Sequence, residues 1–349
     1  MKLEVKRLTP GQRVFWANEE RALVARGFRA FWQGLDGQLA KLATLPAPWT
    51  TRVLCRFRPT RQLLRLGLHN LWPLADGSLV GAAKKSLLRC PPGATQFQVV
   101  QAIRHGNKPG FNGMCLDPYG RIYVGEYAAN PSRSLPMGLY RSDNAGRSYA
   151  RIYEFAAGEI RHIHLVQWDP FEQCLWMGTG DTDGECQLLR SFDYGEQWDV
   201  VGAGSQIWRA LALVFTKAGL YWGTDAGSDA GSEKNYVVRF ARESKQAQRL
   251  VEMPGPCHGF AASRQGPLLA STGVEGGTNE RDRSAHLWAS RNSTDWAEVA
   301  RWRKDALPSA VQFGVVHFAH NLENAPEFHF TARGLAGAGE AHYIAQVLD

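Results

Sequence analysis

The segment EIRHIHLVQWDPFEQCLWMGTGDTDGECQLLRSFDYGEQW, residues 159–198, decides the fold. It holds three apolar runs separated by turn residues. The first, 160–168, is broken by Asp169-Pro170; the second, 174–178, ends in Gly180-Asp181; the third, 187–190, runs into the octet Ser191-Phe192-Asp193-Tyr194-Gly195-Glu196-Gln197-Trp198. β-Branched and aromatic residues between Gly, Pro and Asp punctuation predict a small antiparallel meander. The octet has the form S-x-D-x-G-x-x-W. Its Asp is suited to bond nearby backbone N–H groups, its Gly supplies a positive φ, and its aromatic plugs the sheet beneath. It shapes a hairpin and carries no chemistry of its own.

The same hairpin recurs along the chain. Copies lie at 74–81, 116–125, 168–178 and 215–223, with a weaker one at 263–271. The octet returns at 142–149 as a longer variant around Asp143, and in degenerate form at 290–296. A repeat of roughly 40–50 residues is the length of one four-stranded propeller blade. The expected architecture is therefore an all-β propeller forming one domain over 1–349. Blades are expected at 12–45, 64–103, 110–155, 160–202, 206–253 and 256–302, with a last one from 310. The tail after Gln312 has three plausible strands, so residues 2–8 are expected to supply the fourth and close the ring, removing both sheet edges. Seven blades result, or six if 1–63 forms something else. Residues 52–65 have no assigned place.

Composition agrees with a large folded core: 44% hydrophobic and 21% charged residues, with 36 Gly and 12 Trp for many short strands and tight turns. No apolar run of about 18 residues exists to span a membrane. The start, Met1-Lys2-Leu3-Glu4-Val5-Lys6, lacks the apolar stretch of a secretory signal, and the six cysteines form no CxxC pair. Reduced thiols and a cytoplasmic location are the expectation. The net charge of +7 is uneven, with 18 Lys and Arg against 5 Asp and Glu in the first 110 residues. Such a block attracts polyanions. No compact basic run or nucleic-acid motif accompanies it, which makes a nucleic-acid partner a distant reading.

Propeller geometry sorts the candidate residues. In each blade the innermost strand starts at one mouth of the central channel and the second strand returns there. Inner strands start at His69-Asn70, Asn112, 161–164 (Arg161, His162, Ile163, His164), Trp208-Arg209 and His258. Second strands end at Glu126-Tyr127, Asp181, Asp225 and Glu275. Imidazoles, guanidinium groups and carboxylates thus converge, the inventory of acid–base work or metal binding. His162 and His164, at i and i+2, project to one side of a strand and would ligate a divalent ion with Asp181 or Glu126, or else be buried histidines bonded to backbone. Arg161 and Arg209 would clamp a substrate carboxylate or pair with Asp181 and Asp225. Tyr127, Trp208 and Trp222 suit sugar stacking or blade packing. His105 and Asn107 lie in a loop entering the same mouth.

On 142–149, 191–198 and the Gly-ended second strands at Gly125, Gly178 and Gly223, the chain resembles the sialidase-like BNR/Asp-box propeller superfamily. True sialidases would imply an arginine triad, a Tyr/Glu nucleophile pair, an Asp acid and an N-terminal Arg-Ile-Pro element. Phe57-Arg58-Pro59 echoes the last faintly, and no third arginine joins Arg161 and Arg209. Propeller polysaccharide lyases offer a second likeness, with His and Tyr acting beside a uronate carboxylate held by Arg or a metal. The expected function is a glycan-cleaving enzyme, hydrolase or lyase, acting on an acidic saccharide. His162, His164 and His258 are its candidate bases or metal ligands, Glu126, Asp181 and Asp225 its candidate acids. Arg161, Arg209, Asn70, Asn112, Tyr127, Trp208 and Glu275 are candidate substrate contacts. The alternative is a non-catalytic carbohydrate-binding or assembly propeller in intracellular polysaccharide synthesis.

Overall fold

A computed structural model describes residues 1–348, and its seven four-stranded antiparallel sheets form a β-propeller. Blades 1 to 6 occupy 13–44, 69–102, 114–155, 163–203, 214–253 and 257–303, each a meander in chain order. Blade 7 takes its three inner strands from 315–348 and its outermost from Lys2–Pro10. That N-terminal strand pairs antiparallel with Ala341–Leu348, Leu3 opposite Val347 and Val5 opposite Ala345. The two chain ends are thus joined in one sheet, and the six-blade alternative is excluded.

Each blade buries both faces of its inner strands against its neighbours, which is why these read as continuous apolar runs. Cys174–Thr179 and Gly219–Gly223 are buried at every position, Trp176 and Trp222 included. The glycines that end the second strands have a steric cause. A Cβ on Gly125 would lie 2.6 Å from Ile163 Cγ2, and one on Gly223 would lie 2.3 Å from Cys257 Cβ. Both contacts are with the inner strand of the next blade, so the missing side chain sets how closely blades meet.

The octet hairpins join third and fourth strands, as their local chemistry requires. Ser191 Oγ accepts from Gly195 N (2.8 Å), Asp193 Oδ1 accepts from Gln197 N (2.9 Å), and Trp198 Nε1 donates to Gly195 O (3.0 Å). At 142–149 it is Asn144, not Asp143, that accepts from the residue four positions on, Ser148 N (3.0 Å). The two hairpins therefore have the same length, and the longer variant read around Asp143 is corrected.

The stretch without an assigned place, 52–65, largely forms two short helices, α1 (Trp49–Leu54) and α2 (Arg58–Leu63), between blades 1 and 2. The second of them is tied across the mouth to blade 7 and the segment before it. Arg58 pairs with Asp305 and donates to Gln312 Oε1, Arg61 pairs with Glu340, and Gln62 Oε1 accepts from Arg333 (2.6 Å). The six cysteines are all buried and free. No helix among the described residues is long and apolar enough to cross a membrane.

Gly223→Ala is expected to cost about 1–3 kcal/mol through overpacking against Cys257. Gly184→Ala, where an added Cβ meets nothing within 4 Å, should stay within about 0.5 kcal/mol of the parent. Urea unfolding of both variants measures the difference, and equal midpoints would show that blade spacing does not depend on Gly223.

Candidate functional site

The mouth on the side of the helices opens into a cavity of about 590 Å³, within the usual range for a small-ligand site. Its floor is Phe111, from the loop entering blade 3. That ring stacks on His317 (centroids 4.7 Å apart) and His320 (5.1 Å), and His320 stacks in turn on Trp72 (4.4 Å). The loop is fixed by two of the predicted residues. Asn70 Nδ2 donates to Gly110 O (2.7 Å) and Phe111 O (3.0 Å), and Asn112 Nδ2 donates to Leu211 O (2.7 Å).

One half of the cavity is built around Asp181, which follows the second strand of blade 4. Its carboxylate receives Arg161 Nη1 (2.6 Å), Arg209 Nη2 (3.0 Å) and His164 Nε2 (3.1 Å). Burial works against its ionisation, but the His164 bond and the nearby charge of Arg209 win and hold it well below the usual carboxylate range. Arg209 is also bound by Asp229 Oδ1 (2.8 Å) and lies 3.4 Å from Asp225 Oδ2. Arg161 Nε donates to Ala129 O (2.6 Å). Both guanidinium groups are thus engaged by the protein, in the structural network that was one of their two readings.

The histidines divide by tautomer. A carbonyl oxygen only accepts, so His162 Nδ1 donates to Ala128 O (2.8 Å) and His164 Nε2 donates to Gly180 O (2.8 Å). His162 Nε2 is left as a buried lone pair, 3.7 Å from Asp181 Oδ1 and without a hydrogen-bond partner among the described residues. Burial drives His162 down to about 3, so its ring is neutral, and the Tyr127 ring lies 4.0 Å from it, centroid to centroid. His162, His164 and Asp181 bring three ligating atoms within 4.8 Å of one another. An ion there would compete with Arg161 and Arg209 for one carboxylate, and His164 Nε2 already donates its proton.

A second cluster, Asp225, His258 and Glu275, has the same compactness. His258 Nε2 lies 2.9 Å from Glu275 Oε1 and 3.8 Å from Asp225 Oδ1. Burial opposes a charged His258, yet its bond to Glu275 and the charge of Asp225 raise its pKa. Glu275, although buried, is lowered by the same bond. Asp225 behaves oppositely: burial pushes it up to about 6, and its Oδ1 has no hydrogen-bond partner among the described residues. Gly273 makes room for this group, since a Cβ there would sit 2.2 Å from His258 Cδ2.

Five of the residues singled out in the sequence lie elsewhere. Glu126 turns away from the cavity, accepting from Arg104 Nη2 (2.9 Å), His105 N (3.1 Å) and Gly138 N (2.8 Å). It caps backbone at the end of its strand. Trp208 stacks on Trp222 (5.9 Å) between blades 4 and 5, against Gly202, and neither indole lines the cavity. His105 and Asn107 do not line it either.

The opposite half of the cavity is cationic, and most of it escaped the sequence reading. Arg13, Arg61, Arg65, Lys108 and Arg333 line it, with His69 among them. Arg13 begins the inner strand of blade 1 and Arg333 ends the second strand of blade 7. The rule that found Asp181 and Asp225 would have found both, had it been applied to those blades. Lys108 lies in the loop singled out for His105 and Asn107. Arg61 and Arg65 belong to the unplaced segment.

No protein-family model matches the chain, and no curated protein sequence does. Solved structures are similar in fold. An oligogalacturonate lyase from Vibrio parahaemolyticus aligns over 100% of this chain and 98% of its own, with a TM-score of 0.61 and 12% identity. A chain of the mitotic checkpoint complex aligns over 99% of this chain and 94% of its own (TM-score 0.59, 11% identity). U3-55K aligns over 99% and 98% (0.58, 11%). At such identities the likeness establishes the propeller.

Asp181→Asn should destabilise the protein by about 3–5 kcal/mol, because it leaves the buried Arg209 guanidinium and the partly exposed Arg161 guanidinium without their shared carboxylate. Urea unfolding reads this directly; a loss under 1 kcal/mol would show that Asp181 does not hold the network.

Proposed function

We propose that the chain is an enzyme that cleaves an acidic saccharide at this mouth by acid–base chemistry, as a hydrolase or a lyase. One observation carries the reading: a single cavity sets a carboxylate–imidazole group with divergent proton affinities opposite a wall whose five cations share one carboxylate, Glu340. Pairs of titratable groups pushed apart by their surroundings are how one site supplies both an acid and a base at one pH. Asp225, raised to about 6 by burial, is the residue that holds a transferable proton near neutrality. The His258–Glu275 pair, with its N–O distance of 2.9 Å, is the partner that takes or returns a proton. His162 offers a neutral imidazole lone pair beside Tyr127. The ligating oxygens of Asp225 and Glu275 lie within 4.8 Å of each other, too close to flank a sugar and an attacking water as an inverting pair does. The fold shared with an oligogalacturonate lyase agrees with an acidic sugar as the substrate class. Arg161 and Arg209, bound by Asp181 and Asp229, position the acidic half rather than clamp the substrate.

Asp225→Asn and Glu275→Gln should each lower kcat on an oligogalacturonate or related uronate oligomer about 10²–10⁴-fold, with a smaller change in KM. With Asp225 as the acid, the ascending protonation works in its favour at low pH, so wild-type activity should fall as pH rises through about 6. Unchanged turnover in both variants sinks the assignment; saccharide binding without product from the wild type would favour a binding propeller. Elemental analysis of the purified protein tests the competing assignment of a divalent ion to His162, His164 and Asp181.

A further inference from the structure

The cationic wall carries more charge than a sugar carboxylate accounts for. Five cations, Arg13, Arg61, Arg65, Lys108 and Arg333, face a single carboxylate, Glu340. Glu340 serves three of them: Arg61 by direct pairing, Arg333 Nε at 3.3 Å and Arg13 Nε at 3.6 Å. Despite burial, those three hold Glu340 down to about 2, so it is a committed counter-ion. Arg65 and Lys108 have no carboxylate partner among the described residues, and Lys108 Nζ has only Pro109 O at 3.4 Å. Burial together with the charges of Arg333, Arg13 and Arg65 pulls Lys108 down to about 7. No carboxylate lies within ion-pair distance of it among the described residues, so the acidic half of the cavity does not pair with the cationic half. Gln312 Nε2, also facing the cavity, is buried with no hydrogen-bond acceptor among the described residues.

We propose that this wall is an oxyanion subsite for a doubly charged ester group, a phosphate monoester carried on the saccharide, with Lys108, Arg65, Arg333 and Gln312 as donors. The proposal rests on the saccharide reading above and names the anion it leaves open. Two cations lack a counter-charge, so a monoanionic carboxylate would satisfy one and leave the other exposed to Arg13 and Arg333. A dianion satisfies both, and its three terminal oxygens accept the donors that the protein leaves unmatched. Arg13, bound to Leu68 O (2.6 Å) and His69 Nδ1 (3.1 Å), supplies charge from behind.

Isothermal titration with sodium sulfate, at ionic strength held constant with NaCl, tests the subsite without any sugar. Sulfate stays a dianion across neutral pH, so proton uptake on binding reports the protein. Saturable sulfate binding at least ten-fold tighter than acetate is expected, with proton uptake between pH 7 and 8 as Lys108 is recharged. Lys108→Met should weaken sulfate at least ten-fold and remove the uptake. That variant should melt no lower than the parent, because it deletes a charge its surroundings repel; Arg65→Gln, at an exposed residue, gives an independent second loss. Glucose 6-phosphate, a dianion, should then bind more tightly than glucose 6-sulfate, whose ester carries a single charge, and equal affinity for the two would overturn the two-charge argument. Equal affinity for acetate and sulfate, or sulfate binding unaffected in both variants, overturns the proposal. Failure to bind sulfate by protein that still cleaves a uronate oligomer removes the subsite alone. Sulfate binding by protein inert to every saccharide keeps the subsite and removes the enzyme reading.

Discussion

Seven sheets can share one axis only if the inner strand of each comes close to the second strand of the blade before it. Here that approach leaves no room for a Cβ at Gly125 or Gly223. The same closeness crowds the strand ends at the mouth, where side chains from neighbouring blades fall within bonding distance. His164 and Asp181 of blade 4 meet Arg209 at the entry to blade 5, and Asp225 of blade 5 meets His258 of blade 6. Blade spacing, a matter of glycines and packed tryptophans, therefore dictates which charges become neighbours.

Those neighbours are segregated by sign. On the side of blades 4 to 6 the cations that line the cavity, Arg161 and Arg209, are both matched by carboxylates, and the surplus is negative or protonatable. On the side of blades 1, 2 and 7 the balance reverses, with α2 adding Arg61 to the excess. Opposite signs kept apart across an enclosed, poorly solvated space create a field that orients an asymmetric ligand. A molecule with one anionic end and one uncharged, hydroxyl-rich end has a single favourable way to lie in it.

The fold was legible because its signals are local and repeated. Turn chemistry at Gly180-Asp181 and Asp169-Pro170 and the Gly-ended strands placed the ends of the blades closely, while the start of blade 5, expected at 206, lies at Val214. The acidic half of the site was legible for the same reason, since His162, Asp181, Asp225, His258 and Glu275 follow from strand order alone. What failed depended on side-chain direction or on long-range contact. Glu126 is the first residue after its second strand, where Asp181 is the second after its own, and it turns to Arg104 and the backbone of His105 and Gly138. Helices α1 and α2 bury none of their residues, so no periodic apolar face announced them. The place of α2 is set by ion pairs to Asp305 and Glu340, far along the chain, which no local pattern encodes.

Phe111 has a consequence for traffic through the molecule. Its ring, wedged between His317 and His320 and held by Asn70 through the adjoining backbone, stops the central bore. The space above is a cul-de-sac, and a second hollow, on whose wall Phe111 also lies, opens beyond the stopper. A polymer cannot be reeled through such a ring. Only a terminus or a short branch can reach the bottom, and whatever goes in must back out by the same door.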